Sequence, residues 1–232
     1  MRLDKLLGEL NIGTRSEVKK LITKGRISVN GSIVTKPDEK VDEESALITY
    51  EGREYRYKKF SFYMLNKPEG ILTANTDSDT PTIMDLLPKE LRNTHFSIGR
   101  LDKDTTGLII VCNDGELVHR LLSPKKHVDK KYLVTIEKPL NDTDIKTLEN
   151  GVDIGEKNLT AQSKVEIIDE NNIYLTIHEG KFHQIKRMLK AVDNNVLALK
   201  RISLGGVSLD RNLQSGQYRE LTDQEIKTLY EN

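Results

Sequence analysis

Apolar positions along the first sixty residues change period twice. Leu3, Leu6, Leu7 and Leu10 recur at i, i+3, i+4 and i+7, the spacing of one buried helical face. Thr14 with Glu17 has the form of a capping box opening a second helix, striped by Val18, Leu21 and Ile22 and stopped at Gly25. The period then shortens to two. Ile27-Ser28-Val29 and Ile33-Val34 flank Asn30-Gly31, a strong short-range hairpin signal. Residues 46–50 and 53–57 alternate like edge strands, and Lys58-Lys59 closes a linker. This places a domain boundary near residue 60, with a small unit over 1–60 and a larger one over 61–232.

The larger unit mixes both periods. Short strands are expected over 61–65, 108–111, 132–136, 165–168 and 173–177, the last two joined across Asn171-Asn172, and further short segments at 197–199, 201–202 and 207–209 surround Leu204-Gly205-Gly206. Asn66-Lys67-Pro68-Glu69-Gly70 reads as a turn, 76–82 as a polar loop, and 83–87 as a helical turn stopped by Pro88. A helix after Asp114-Gly115 turns Leu117, Val118, Leu121 and Leu122 inward and ends at Pro124. Asp142 is expected to cap a helix through Ile145 and Leu148 that stops at Gly151. Phe182, Ile185, Leu189 and Val192 form a further helical stripe, leaving Lys186, Arg187 and Lys190 off the core side. Thr222 with Glu225 caps a terminal helix striped by Ile226 and Leu229. No internal repeat or low-complexity tract interrupts the chain.

Composition narrows the classes. Across 232 residues, 36 Lys and Arg balance 36 Asp and Glu, which argues against a protein that coats nucleic acid non-specifically. The distribution is uneven, however. Residues 1–36 carry eight bases against three acids, and 120–131 carry five against one. Basic helical faces are commonly just solvated, so charge alone leaves an RNA clamp and a solvated mini-domain open. The single cysteine, Cys112, excludes an internal disulfide, and no Cys/His cluster has zinc spacing. No run approaches the ~18–20 apolar residues of a membrane helix, and a soluble cytoplasmic protein is expected.

The densest chemistry lies over 99–108, Gly-Arg-Leu-Asp-Lys-Asp-Thr-Thr-Gly-Leu, immediately before the apolar run 108–111. A loop anchored on a buried strand can hold a reactive side chain, although spacing alone equally describes a charged turn. Gly99-Arg100-Leu101-Asp102, with Thr105, Thr106, Gly107 and Leu108, resembles the signature of the pseudouridine synthases. Lys67-Pro68-x-Gly70, Lys131-Tyr132-Leu133-Val134 and the run Gly180-x-x-His183-Gln184-Ile185-Lys186 resemble three further motifs of the same family. The resemblance spans essentially the whole chain. Arg2-Leu3-Asp4-Lys5-Leu6, Thr14-Arg15-Ser16-Glu17 and 25–31 resemble the small RNA-binding domain first known from ribosomal protein S-four.

The resemblance implies a mixed α/β (α+β) fold: the small RNA-binding domain, then a catalytic domain with a largely antiparallel central sheet flanked by helices and a cleft across its middle. It implies isomerisation of uridine to pseudouridine, in which uracil is detached from its ribose, turned and rejoined through carbon 5, with no metal or other cofactor. Asp102 is then the indispensable carboxylate, as nucleophile or general base. Lys186 is its cationic partner, with Arg187 adjacent as a rival, and Tyr132 packs on the uracil. Arg100, Arg187, His183 and Leu204 would bind substrate, with the apolar residues around Leu204-Gly205-Gly206 walling the pocket. Phosphate contacts fall to Arg2, Arg15, Lys19, Lys20 and Arg26. Asp104 lies off the matched position and is expected to be solvated, while Thr105 and Thr106 satisfy backbone groups in the loop.

Within the family the chain is most similar to the RsuA-like branch, which modifies one uridine of small-subunit (16S) ribosomal RNA, uridine 516 in the usual rRNA numbering. Sister branches act on 23S RNA. A monomer working on an assembling small-subunit particle is expected. Two other classes are weighed beside it. A non-catalytic ribosome-assembly factor would have no use for Asp102, Tyr132 and Lys186 together. A carboxylate-pair glycosidase would have no use for a basic N-terminal clamp.

Overall fold

A computed structural model of the chain describes residues 1–123 and 126–232. The chain divides into two compact units, Met1–Phe60 and Ser61–Asn232.

In the first unit, helices α1 (Leu3–Glu9) and α2 (Arg15–Thr23) cover a four-stranded antiparallel sheet of β1 (Ile27–Val29), β2 (Ser32–Val34), β3 (Leu47–Tyr50) and β4 (Arg53–Arg56), in the order β2-β1-β3-β4. Leu3, Leu6, Leu7, Val18, Ile22, Ile27 and Ile48 are wholly buried between the layers. At the start of α2, the Thr14 amide donates to the Glu17 carboxylate at 2.8 Å. Asn30 and Gly31 both take positive φ, as a two-residue hairpin with Val29 opposite Ser32 requires. One expectation is corrected: β3 is internal, pairing with both β1 and β4, because its buried Ile48 faces the helices.

Among the described residues, the second unit is built on nine strands. In chain order come β5 (Phe62–Lys67), a 3-10 turn (Ile83–Leu86), α3 (Lys89–Arg92), β6 (Phe96–Ser97), β7 (Thr106–Cys112), α4 (Gly115–Leu122) and β8 (Lys130–Ile136). There follow α5 (Asp142–Asn150), β9 (Lys164–Ile167), β10 (Asn172–Ile177), α6 (Gln184–Ala191), β11 (Val196–Leu204), β12 (Val207–Ser208), β13 (Tyr218–Glu220) and α7 (Asp223–Tyr230). The sheet runs β13-β5-β7-β11-β8-β10-β9, with β6 beside β7 and β12 beside β11. Every described pairing between strands is antiparallel except β7 with β11, where Thr106 and Gly107 lie opposite Lys200 and Arg201. The sheet is thus largely antiparallel and flanked by helices. β7 lies inside the sheet between β5 and β11, and Leu108 to Cys112 are wholly buried. At this depth the Cys112 thiol is pushed up to about 11 by burial.

Several boundaries differ from the sequence reading, each for a local reason. Asn66 and Lys67 continue β5 opposite Leu108 and Gly107 rather than turning. Asn141, not Asp142, caps α5, since its side chain accepts from the Thr143 and Asp144 amides. Leu122 is 42% exposed, on the outer side of the last turn of α4. Pro124, expected to end that helix, lies outside the described residues. Phe182 precedes α6 and is 74% exposed, so it takes no part in the buried stripe. No helix among the described residues is long and apolar enough to cross a membrane.

Candidate active site

The loop over 99–105 is pinned from both sides before it enters β7. The Thr73 hydroxyl donates to the Leu101 carbonyl at 2.9 Å and accepts from the Leu101 amide at 3.1 Å. The Thr105 amide closes a turn on the Asp102 carbonyl at 3.1 Å. Beneath the loop lies Lys67, wholly buried, whose ammonium donates to the carbonyls of Thr105 at 2.8 Å and of Lys103 and Pro68 at 3.1 Å. Burial pushes this ammonium down to about 8 from its ordinary 10.5, against the opposing pull of Asp104 and Asp102. Gly107 makes the approach of β7 to β11 possible. Its φ is +97°, and a Cβ there would stand 2.2 Å from the Arg201 carbonyl oxygen.

Asp102 opens into a cleft lined by Arg100, Leu101, Thr105, Tyr132, Ile177, His183, Lys186 and Leu199, among others. Its carboxylate is 30% exposed, with Lys186 Nζ at 3.5 Å and His183 Nε2 at 3.7 Å. Lys186 reaches the cleft from the first turn of α6. It is shared: Asp104 holds it more closely, with carboxylate oxygens at 2.6 and 2.7 Å. Asp104 is therefore not merely solvated, and the hydrogen bond from Lys186 holds its carboxyl below the usual range. Tyr132, on β8, is 7% exposed and lines the same cleft from the sheet side.

The other expected site residues divide. Arg100 lines the cleft from an exposed position. Arg187 does not line it. That guanidinium donates to Glu156 at 2.9 Å, to the Phe182 carbonyl at 3.0 Å and to the Ile154 carbonyl, so of the two neighbours it is Lys186 that faces Asp102. Leu204 is also outside the cleft, buried at the far end of β11 opposite Lys130 and Val207; Leu199 and Ile177 supply the apolar wall instead. Thr106 does bond backbone, its hydroxyl reaching the Leu199 carbonyl at 3.4 Å. Thr105 does not: its hydroxyl is buried with no hydrogen-bond partner among the described residues.

Arg201 went unread in the sequence. It is wholly buried opposite Tyr132, and its Nε donates to the Leu108 carbonyl at 2.7 Å. Burial disfavours its charge, and Tyr132 is the neighbour that favours it. A base beside Lys200 on an otherwise largely apolar strand was its available signal.

In the first unit, Arg15, Lys19, Lys20 and Arg26 are exposed, whereas Arg2 is half-exposed and forks onto buried Asp4 at 2.9–3.0 Å. Arg2 and Arg15 line one groove with Lys5 and Glu9. Lys20 lines another with Ile12, Glu17, Leu21 and Tyr50.

Residues 61–191 match the RNA pseudouridylate synthase family, and residues 1–47 match the S4 domain. The chain is 47% identical to the uncharacterized RNA pseudouridine synthase YtzG of Bacillus subtilis, over 100% of this chain and 99% of the relative. It is 40% identical to ribosomal small subunit pseudouridine synthase A of Haemophilus influenzae, covering 99% of each, and 38% identical to the protein of that name from Escherichia coli K12, covering 99% and 100%. A crystal structure of a pseudouridylate synthase superposes with a TM-score of 0.71 at 39% identity, over 99% of both chains. Motif, fold and full-length similarity agree: the chain belongs to the RNA pseudouridylate synthase family, as an enzyme that isomerises uridine in RNA and carries an S4 RNA-binding domain.

Proposed function

We propose that the cleft around Asp102 isomerises one uridine of small-subunit (16S) ribosomal RNA, uridine 516 in the usual numbering, within an assembling particle in the cytoplasm, with the protein acting as a monomer. The observation that carries the reading is the Lys186 ammonium 3.5 Å from an Asp102 carboxylate that shares its cleft with Tyr132. The full-length similarity to proteins named for the ribosomal small subunit favours the 16S target.

In this reading the target nucleotide leaves its stack at a cost of a few kcal/mol, with the exposed Arg100 guanidinium taking its place. Asp102 acts at the sugar's anomeric carbon as the bond to ring nitrogen breaks, as nucleophile or general base. Lys186 keeps the carboxylate ionised and oriented. The uracil turns against the Tyr132 ring, held over the wall of Leu199 and Ile177. A bond forms from carbon 5 to the sugar, the carbon 5 proton leaves, and the ring nitrogen takes one up, so atoms balance without a cofactor. His183 borders the sugar side. Arg2, Arg15, Lys19, Lys20 and Arg26 hold phosphates and set position.

The test is to map pseudouridine in 16S and 23S RNA from cells with and without the protein, and to repeat it with Asp102→Asn. The expected result is loss of one 16S site in both the deletion and the variant, with RNA binding retained by Asp102→Asn. Loss of a 23S site instead overturns the target assignment. Full modification by Asp102→Asn overturns the role of Asp102.

A further inference from the structure

The segment between β10 and α6 displays an aromatic ring that the reaction just described does not use. Phe182 is 74% exposed, yet it is not on a loose tip. Its carbonyl is held by Arg187 at 3.0 Å, and the Gln184 amide bonds the Lys181 carbonyl at 3.1 Å. Gln184 in turn accepts from the Lys181 amide at 2.9 Å and donates to Glu179 at 2.8 Å. His183 takes a left-handed backbone conformation, φ +48° and ψ +35°, uncommon for a non-glycine residue. That geometry lays its ring flat against Phe182, with centroids 3.8 Å apart and planes 19° from parallel. The other edge of the His183 ring faces Asp102 at 3.7 Å.

The result is a fixed two-ring stack that begins beside the Asp102 carboxylate and ends in a bare aromatic face. Lys181 and Lys186 border the cleft next to it. A rigid exposed aromatic among cations is the arrangement that stacks single-stranded bases.

We infer that the outer face of Phe182 is a subsite for the nucleobase of a nucleotide adjoining the target uridine, unstacked when that uridine leaves the helix. Phe182 is thus a positioning residue that acts in binding and not in the chemical step. The inference rests on the reading of the Asp102 cleft as the active site, and its test separates the two. An rRNA fragment containing the mapped uridine carries 2-aminopurine on either side of it, and Kd, fluorescence and single-turnover rate at saturating RNA are measured for the parent, Phe182→Ala, Phe182→Trp and Asp102→Asn. Phe182→Ala should raise Kd roughly tenfold, lose the fluorescence quench at one neighbour, and keep the single-turnover rate within about twofold. Phe182→Trp should restore the quench and the affinity.

Thermal stability should be unmoved, because the ring is exposed. Parent-like Kd and quench in Phe182→Ala, beside an inactive Asp102→Asn, overturn this inference alone. So does a lost single-turnover rate at unchanged Kd. Product formation by Asp102→Asn overturns the cleft reading and this one with it.

Discussion

Replacing Lys67 by Met isolates what a buried ammonium costs and contributes under the catalytic loop. In the folded chain the Lys67 proton is held less tightly, down to about 8, than in the unfolded chain, where it titrates at 10.5. Between those values the unfolded state binds more protons, so this group makes stability rise with pH. The penalty is present in full below pH 8 and is gone above 10.5. At about 1.4 kcal/mol per pH unit, the span is worth about 3 kcal/mol. Met has similar length and no proton, so the variant lacks this dependence while every other alkaline titration is shared. The assay is urea unfolding of parent and Lys67→Met from pH 7 to 10.5, followed by circular dichroism. The parent should gain on the variant by about 3 kcal/mol across the range, a relative midpoint shift of roughly 1–2 M urea. Product formation by Lys67→Met should fall at every pH, because the carbonyls of Lys103 and Thr105 lose a donor that sets the Asp102 loop. A stability gap that stays flat from pH 8 to 10.5, or runs the other way, refutes the reasoning.

Gly107→Ala should destabilise the chain by about 3 kcal/mol or prevent folding, since a Cβ meets the Arg201 backbone; a melting temperature within 2 °C, taken as roughly the noise of a single substitution, would contradict this. Lys186→Met should reduce the single-turnover rate by about a hundredfold or more, whereas Asp104→Asn, which leaves Lys186 to Asp102, should cost about tenfold or less; rapid-quench measurements with equal losses would show that Lys186 and Asp104 act as one unit. Thr105→Val should be neutral or stabilising by up to about 1 kcal/mol, because the hydroxyl it removes is unpaired; a thermal melt showing marked loss would reveal a hidden partner.

Local chemistry was legible where period and turn residues agree. The Asn30-Gly31 hairpin and the strand after the Gly99–Leu108 stretch stand as read, because both positive φ values and an unbroken apolar run are properties of neighbouring residues. What lies far apart in the chain was not. That Arg187 is spent on Glu156 and Ile154 while Lys186 faces Asp102 depends on how α6 is rotated against a loop some eighty residues earlier. The fate of Asp104 has the same origin. Leu204 was implied by the resemblance of its segment to the family's closing strands, but the sheet carries its side chain past the cleft and leaves that wall to Leu199. Lys67 was placed in a turn because proline follows it. Its burial depends on β7 lying alongside, which no window around residue 67 contains.

The parallel strand pairing, β7 with β11, joins segments about ninety residues apart, and β11 fills the gap between β7 and β8. Contacts of such separation form late because the intervening loop must first close. Asp102 leads into β7, and Tyr132 belongs to β8. A chain still emerging from its own ribosome therefore carries a carboxylate without its aromatic wall, and acquires competence to isomerise uridine only after β11 has been released.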